Sequence, residues 1–173
     1  MLNRRTFGLA GIGAAATAAG LLSVRSHANE ETMSSTTETF EITKTPEEWR
    51  KILTPEQFYV LREHGTERAG SSPLDKVYDK GIYECAGCSL PLFSSETKFN
   101  SGTGWPSFYA PIEDAIGTSV DKGFFMTRTE VHCRRCGGHL GHVFKDGPPP
   151  TGLRYCMNGV ALKFVPAADK STG

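Results

Sequence analysis

The sequence lacks a surplus of charge of either sign. Its 173 residues carry 19 Lys and Arg against 19 Asp and Glu, so the composition does not favour a nucleic-acid partner. Outside residues 8–22 it also lacks any stretch long and apolar enough to span a bilayer. With 38% hydrophobic and 22% charged residues, wholesale disorder is excluded, and the length suits one domain with a sizeable core.

Cysteine is scarce, with five residues that divide into two Cys-x-x-Cys pairs and one further cysteine, Cys156. An odd count leaves at least one thiol outside any internal disulfide framework or four-ligand metal site. Glycine and proline are plentiful by contrast, at 19 and 10 residues. This indicates many turns and a mainly β body.

The N-terminal residues have the layout of a secretory signal. Arg4 and Arg5 precede the apolar stretch 8–22, and Ser26 and Ala28 offer a small-x-small cleavage site. The paired arginines resemble a twin-arginine signal, and that route carries already folded proteins. A retained membrane anchor is the alternative, but the stretch is short and rich in Gly and Ala. We therefore predict a signal peptide over 1–28, the twin-arginine machinery as a partner, and an exported protein, periplasmic or extracellular in a bacterium.

Composition divides the remainder of the chain. Residues 29–40 are polar and predict a flexible linker, residues 41–166 hold the predicted domain, and residues 167–173 a disordered tail. Two short helices open the domain, because Thr45 and Thr54 each precede a proline and have Glu or Gln three positions later. The first should run to residue 53 and the second should end at Gly65, with His64 a surface residue near that end.

Four cysteines have the spacing of metal ligands. Cys85 and Cys88 form one Cys-x-x-Cys turn and Cys133 and Cys136 a second, and each follows a strand-like run, 81–84 and 127–131. These two turns, here called the knuckles, supply the four thiolates that tetrahedral Zn²⁺ prefers. Disulfides are the alternative in an exported protein. We predict a closed structural zinc site that staples the fold.

A segment rich in glycine and aromatic residues, 98–109, lies between the knuckles and includes Trp105 and Phe108. Its prolines and glycines argue against a regular helix or a central strand. Such a loop either fills the core or lines a pocket, and the sequence favours neither. Further on, 115–117 and 121–123 suggest turns, and 124–131 suggests a strand that leads into the second knuckle.

Arg154, Cys156 and Asn158 share the parity of the apolar positions 160, 162 and 164. In one continuous strand all of these positions would share a buried face, with Ala161 and residue 163 pointing outward. Cys156 and Asn158 would then sit at one end of that face, at the mouth of a barrel or sandwich.

His139 and His142 are three positions apart and would diverge in a plain strand. Gly141 between them permits a bulge that brings both to one side. A histidine near a thiol favours the thiolate and can supply or hold a proton. A lone buried cysteine is usually a small hydrophobic residue, and two histidines are often a coincidence. Their occurrence together, beside four knuckle cysteines, favours a catalytic Cys156.

Four motifs spread over most of the domain carry a resemblance to a known family: YECAGC at 83–88, SGTGWPSF at 101–108, CGGHLGHVFKDGP at 136–148 and TGLRYCMN at 151–158. On these motifs the chain resembles the B-type peptide methionine sulfoxide reductases from about residue 43 to 166. Enzymes of this kind repair oxidised methionine.

The resemblance implies a fold of two small antiparallel sheets that form an open barrel, with zinc in many members. It also implies reduction of methionine R-sulfoxide in proteins or peptides by a Cys156 thiolate, through a sulfenic acid. His139, His142 and Asn158 match the polar groups that bind and help protonate the sulfoxide oxygen. Trp105 matches the tryptophan that receives the substrate methyl group. We assign Phe108 and Arg154 to substrate binding as well, with Arg154 and Asp146 supporting Cys156 and the histidines.

The sequence departs from the family pattern at Thr103, where many relatives carry a resolving cysteine, and at Met157, where a branched aliphatic residue is usual. If the knuckles hold zinc, Cys156 has no internal thiol partner. Its sulfenic acid must then be reduced by an external thiol, such as a thioredoxin-like protein. We expect the protein to be a monomer.

Two other functional classes compete with this hypothesis. A non-enzymatic zinc module that binds protein or nucleic acid would keep the knuckles but leave Cys156 and the histidines without a role. A thiol-disulfide exchanger would use Cys85 and Cys88, but the βαβ setting of such a pair is missing. A measurement of bound zinc distinguishes a thiol-disulfide exchanger from a protein with a structural zinc site. Replacement of Cys156 distinguishes an enzyme from a non-enzymatic binding module.

Overall fold

The computed structural model of the protein describes residues 39–123 and 126–168. The predicted signal peptide lies outside the described residues, as do most of the predicted linker and tail. Within the described part, no helix has the length and apolar character needed to cross a membrane.

Two short helices open the domain, α1 (Pro46–Ile52) and α2 (Pro55–Glu63). Their starts confirm the prediction, because Thr45 and Thr54 both form complete capping boxes with the residue three positions on. Each box satisfies two backbone N–H groups that a helix start otherwise leaves unpaired.

The end of α2 differs from the prediction by one residue. His64, and not Gly65, takes the left-handed cap conformation, with φ of 55°. The N–H of Gly65 then donates to the carbonyl of Tyr59 at 2.9 Å. Histidine tolerates this conformation better than bulky residues do, and the turn aims its ring back toward the sheet.

The described residues contain nine strands in two antiparallel sheets. A three-stranded sheet has the order β2-β1-β9, and a six-stranded sheet has the order β3-β4-β8-β7-β6-β5. The strands are β1 (Gly81–Cys85), β2 (Pro91–Ser94), β3 (Lys98–Phe99), β4 (Ser107–Phe108), β5 (Ile116–Gly123), β6 (Met126–Cys133), β7 (His139–Phe144), β8 (Arg154–Met157) and β9 (Leu162–Pro166).

A mainly β fold with two antiparallel sheets and N-terminal helices is therefore confirmed. Within the described residues no ladder joins the two sheets, so the two sheets are separate and the open barrel implied by the resemblance is not shown. The second-knuckle strand is confirmed as β6. β4 is an inner strand of only two residues, which the sequence did not predict.

Residues 154–164 do not form the one strand that was predicted. The chain leaves β8 at Met157, makes a 3₁₀ turn over Gly159–Ala161, and enters the other sheet as β9. The N–H of Ala161 donates to the carbonyl of Asn158 at 3.1 Å, which closes the turn. Ala161, predicted to point outward, is fully buried. Cys156 therefore lies in a different sheet from the apolar positions 162 and 164.

The turns predicted at 115–117 and 121–123 are largely replaced by β5, which pairs with β6 along its whole length. β5 is an edge strand and most of its residues are at least partly exposed. An edge position tolerates the glycines and charges that had suggested turns.

An aromatic cluster packs the two sheets together. The ring of Phe108 in β4 stacks on Phe93 in β2 at 4.4 Å between centroids and meets Tyr83 in β1 edge-on at 5.0 Å. All three side chains are fully buried. Helix α2 packs against β7 and the 3₁₀ turn 159–161, which brings its C-terminal end to the strand that carries the two histidines.

Candidate active site

Cys156 lies in β8, an inner strand of the six-stranded sheet, and is half-buried. It pairs with Ser107 of β4 on one side and with His142 of β7 on the other. Residues directly opposite in an antiparallel pair have neighbouring side chains on the same face. The sheet register therefore places a hydroxyl and an imidazole beside the thiol.

A chain of hydroxyl groups leads to the sulfur. Oγ1 of Thr103 lies 3.8 Å from Sγ of Cys156, and Oγ of Ser101 lies 2.8 Å from Oγ1 of Thr103 and 2.7 Å from Oγ of Ser107. Burial raises the pKa of the Cys156 thiol, while hydrogen bonds from Thr103 and Ser107 and the charge of Arg154 act against that shift. We expected His139 and His142 to favour the thiolate, but neither histidine is among the groups that chiefly set the pKa of Cys156.

A cleft of about 110 Å³ opens beside Cys156. Apolar rings and polar groups meet there, and it is lined by Thr66, Trp105, Arg128, Gly141, His142, Phe144, Cys156 and Asn158. A mostly apolar cleft with a few convergent polar groups is typical of a small-molecule site. The structure thus brings together Cys156, His142, Asn158 and Trp105 from the predicted set.

Gly141 accounts for how closely β7 and β8 approach at this cleft. A Cβ atom on Gly141 would lie 2.1 Å from the carbonyl oxygen of Cys156, a distance that real atoms do not reach. The pairing of β6 with β7 shifts register between Val131 and His132, and the rings of His139 and His142 lie 5.3 Å apart. The predicted bulge that brings the two histidines together is confirmed.

The two histidines each contact a carboxylate. Nε2 of His142 lies 2.9 Å from Asp121, and Nδ1 of His139 lies 2.7 Å from Glu130. Hydrogen bonds from His142 and Arg128 lower the pKa of Asp121, so Asp121 is a carboxylate that accepts a hydrogen bond from Nε2–H of His142. Burial lowers the pKa of His142 against the opposing effect of Asp121, which favours the neutral ring. His139 lies behind His142 and outside the cleft lining.

Trp105 is held by a residue that sequence reasoning missed, Glu67. The indole Nε1–H of Trp105 donates to the carbonyl of Glu67 at 3.2 Å, and the N–H of Glu67 donates to Oδ1 of Asn158 at 3.0 Å. The Glu67 carboxylate accepts from the N–H groups of Gly159 and Val160 at 2.5 and 3.1 Å. Burial raises the pKa of Glu67. Glu67 therefore positions Trp105 and Asn158, which line the cleft. No pattern in the sequence near residue 67 indicates this role.

Arg154 and Asp146 form a bidentate ion pair, with Nε and Nη2 of Arg154 at 2.9 and 2.8 Å from the two carboxylate oxygens. The guanidinium also lies over the Phe144 ring, 4.4 Å from its centroid. The pair fixes the guanidinium in β8, two positions before Cys156, and its role in supporting Cys156 and the histidines stays a prediction. Direct contact of Arg154 with substrate stays a prediction.

Phe108 lies elsewhere than its assignment to substrate binding implied. Its side chain is fully buried between Phe93 and Tyr83 and does not line the cleft. The two-residue strand β4 turns it into the core, while Trp105, three positions earlier, faces the cleft. The glycine-rich loop thus fills the core with one ring and lines the pocket with another.

The four knuckle cysteines converge as predicted. Sγ of Cys85 lies 3.8 Å from Sγ of Cys136, and Sγ of Cys88 lies 3.5 Å from Sγ of Cys133, so the four cysteines are free thiols in the structure and no disulfide joins them. Zn–S bonds of 2.3 Å in a tetrahedron place sulfurs about 3.8 Å apart, so this donor set fits a metal ion.

The surroundings of the four sulfurs favour a bound cation. Burial disfavours the charged form of each of the four thiols, so four thiolates at this spacing need a positive charge among them. Arg62 adds a donor from α2, with Nη2 at 3.6 Å from Sγ of Cys136 and Nη1 at 3.0 Å from its carbonyl. The helices are thereby tied to the knuckles.

Comparisons with known proteins agree with this site. Residues 53–166 match the SelR domain family. The peptide methionine sulfoxide reductase MsrB of Leptospira interrogans is 56% identical over 126 residues, which are 72% of this chain and 96% of that protein. The proteins of the same name from Methanosarcina barkeri and Pseudomonas syringae are 58% identical over 133 residues (76% and 94%) and 59% identical over 124 residues (71% and 95%).

The matched region spans both sheets, both knuckles and the cleft, and it defines a SelR domain. The chain belongs to this family, and the class of enzyme it represents is the B-type peptide methionine sulfoxide reductases.

Proposed function

We propose that this chain reduces methionine R-sulfoxide in proteins and peptides to methionine, with Cys156 as the nucleophile. The observation that carries this proposal is the meeting of Cys156, Trp105, His142 and Asn158 in one cleft of a SelR domain. The cleft suits a group with one small apolar part and one polar oxygen. A non-enzymatic module would have no use for a thiol placed there.

The chemistry balances with the residues present. The Cys156 thiolate attacks the sulfoxide sulfur and forms a sulfur–sulfur bond, and the protonated substrate oxygen leaves as water. Water then attacks the sulfur of Cys156, the sulfur–sulfur bond breaks, methionine leaves, and Cys156 becomes a sulfenic acid. The sulfoxide oxygen must gain a proton on the way, because oxide is a poor leaving group. His142 and Asn158 line the cleft where that oxygen would lie, and His139 supports His142 from behind. The Trp105 ring offers an apolar surface for the S-methyl group.

Regeneration of Cys156 is assigned to an external thiol. One reductant thiol displaces water from the sulfenic acid and forms a mixed disulfide, and a second thiol then releases Cys156 and leaves the reductant oxidised. A thioredoxin-like protein with two thiols fits this sequence. Thr103 stands where an internal resolving thiol would be, and the other four cysteines lie together at the knuckles.

The four knuckle cysteines are proposed to hold a structural Zn²⁺ ion. With four protein thiolates a zinc site is closed and has no open position for substrate. Its contribution is to join β1, which carries Cys85, to β6, which carries Cys133.

The predicted partners and location complete the proposal. The domain acts as a monomer on oxidised proteins or peptides, after a twin-arginine signal over residues 1–28 has directed export to the periplasm or the exterior. A metal that is loaded before export agrees with a route for folded proteins.

Turnover of a peptide methionine R-sulfoxide tests this function, with dithiothreitol in one assay and a thioredoxin system in another. We expect turnover with both, no turnover of the S epimer, and complete loss in Cys156→Ser with its fold and zinc intact. Turnover with dithiothreitol alone would keep the chemistry and assign a different natural reductant. Absence of turnover with either reductant, in folded zinc-loaded protein, would reject the reductase function.

A further inference from the structure

Three side chains outside the knuckles converge at the end of α2. Nδ1 of His64 lies 3.0 Å from Oε1 of Glu130, and Nδ1 of His139 lies 2.7 Å from the same oxygen. One possible ligand atom from each of the three residues lies within 4.8 Å of the other two. No sequence pattern indicates this meeting, because the three residues lie in the cap of α2, in β6 and in β7.

We propose that His64, Glu130 and His139 form a second metal site, which binds a divalent transition ion such as Zn²⁺. Two imidazoles and one carboxylate are a donor set that suits Zn²⁺, Co²⁺ or Ni²⁺, with the remaining positions taken by water. Binding replaces the hydrogen bonds that the histidines make to Glu130 and releases protons from the imidazoles that become ligands.

A separate observation at His139 supports a ligand here. The residue is only 2% exposed, and within the described part of the chain its buried Nε2 has no hydrogen-bond partner. The ring can therefore carry its proton on Nε2 and offer the lone pair of Nδ1, which faces Glu130, to an ion, with no hydrogen bond at Nε2 to break. The atom belongs to a residue that lines a cavity of about 330 Å³, together with His64, Asp121, Glu130 and His142.

The side chain of Glu130 is held in its charged form, which a bound cation requires. Burial opposes its charge, but hydrogen bonds from His139 and Ser119 and the nearby His64 bring the pKa of Glu130 down to about 2. Oγ of Ser119 donates to Oε2 at 2.6 Å and fixes the orientation of the group, as supporting residues do around metal ligands. Oε1 is left facing the two imidazoles.

The surrounding charges set the expected strength of the site. Arg128 and Lys122 also line the cavity, but Arg128 is paired with Asp121 at 2.6 Å. Lys122 reduces the affinity for a cation, and His64 is largely exposed. We therefore expect reversible binding that is weaker than binding at the four knuckle cysteines.

Metal counting on the full-length protein tests the site. Protein that holds zinc at the knuckles is dialysed against Co²⁺. The number of cobalt and zinc ions per chain is then measured by inductively coupled plasma mass spectrometry. We expect one additional cobalt with the weak visible absorption of nitrogen and oxygen ligands. Thiolate-to-cobalt bands would instead show exchange at the knuckles, and no additional cobalt in the wild type would overturn the proposal.

His64→Asn is the decisive variant, because asparagine tolerates the left-handed backbone at this position but removes the imidazole. It should lose the additional cobalt while it keeps the knuckle zinc and the wild-type melting temperature. Glu63→Gln, one residue earlier and exposed, removes a charge but no proposed ligand and should retain the ion. Retention of the additional ion by His64→Asn would place it elsewhere and reject the site.

Discussion

Oγ1 of Thr103 lies 3.8 Å from Sγ of Cys156, although the two residues are 53 positions apart in the chain. The loop that carries Thr103 is anchored on the far side by Trp105 and by the hydroxyls of Ser101 and Ser107. A side chain at position 103 therefore reaches the reactive sulfur without any movement of the strands. In the proposed reaction, the identity of residue 103 therefore determines whether Cys156 has an internal thiol that can reduce its sulfenic acid.

Thr103→Cys should give the protein an internal resolving thiol. After one turnover without reductant, the introduced thiol would displace water from the Cys156 sulfenic acid and form a disulfide, with loss of two free thiols. Mass spectrometry of non-reduced peptides detects the link. The wild type should instead yield a sulfenic acid that dimedone traps, and so should Thr103→Ser. A trapped sulfenic acid at full yield in Thr103→Cys would contradict the geometry.

The pH dependence of Cys156 alkylation should reflect its raised pKa. Because burial disfavours the thiolate, the rate of reaction with iodoacetamide should rise with pH through a midpoint above that of an exposed cysteine. Thr103→Val removes a hydrogen bond that lowers the pKa, so it should move the midpoint higher and slow alkylation at any pH below it. Thr103→Ser keeps the hydroxyl and serves as the control. A midpoint unchanged in Thr103→Val would show that the hydroxyl does not act on the thiol.

Cys88→Ser should lose the zinc and destabilise the domain. Cys88 is the partly exposed member of the four cysteines, so the change leaves little packing defect and reports mainly on the metal. Loss of a metal site is among the few changes that cost about 4 kcal/mol or more, and urea unfolding measures it. A strong chelator should lower the stability of the wild type in the same way. Equal stability with and without metal would show that the knuckles are not a structural site.

Glu67→Ala should weaken both stability and catalysis. It leaves the N–H groups of Gly159 and Val160 without their carboxylate acceptor, at a cost of roughly 2 kcal/mol. Because the same loop contacts Trp105 and Asn158, kcat should fall in addition to any rise in KM. Glu67→Gln keeps one acceptor oxygen and should lie between Ala and wild type in urea unfolding and in steady-state kinetics. Wild-type kinetics in Glu67→Ala would limit the residue to a structural role.

Lys98 should make stability depend on pH in the alkaline range. Its Nζ donates to the carbonyl of Asp75 at 2.9 Å and lies over the Tyr78 ring, and burial lowers its pKa from 10.5 to about 8. Between these two values the unfolded chain binds a proton that the folded protein has released. The free energy of unfolding should therefore increase as the pH rises from about 8 to 10.5.

Urea unfolding of wild type and Lys98→Met at several pH values in that window measures the effect. Relative to Lys98→Met, the wild type should gain stability as the pH rises. Lys51→Met, at an exposed position on α1, controls for the loss of a lysine and should show no such trend. A constant difference between wild type and Lys98→Met would mean that Lys98 keeps its ordinary pKa in the folded protein.

Local rules accounted for much of what the sequence predicted. The capping boxes at Thr45 and Thr54 involve residues three positions apart, and the knuckles follow strands that end at the first cysteine of each pair. Prediction failed where a pattern allowed two outcomes. The even spacing of 154–164 fits one strand, but the turn over Gly159–Ala161 divides it between two sheets. The glycines and charges of 116–123 suggested turns and belong to an edge strand.

Sequence alone was enough to define the class of fold, the two helix starts, the four cysteines that could hold a metal, and Cys156 with its histidines as the candidate reactive group. These features depend on residues close in the chain or on motifs that stay intact as sequence. Tertiary structure was needed to place Glu67 against Gly159, 92 positions away, to turn Phe108 into the core, and to join His64 to Glu130 and His139. Such contacts arise where separate strands and loops cross, and the energy that selects them comes from burial and register over the whole domain.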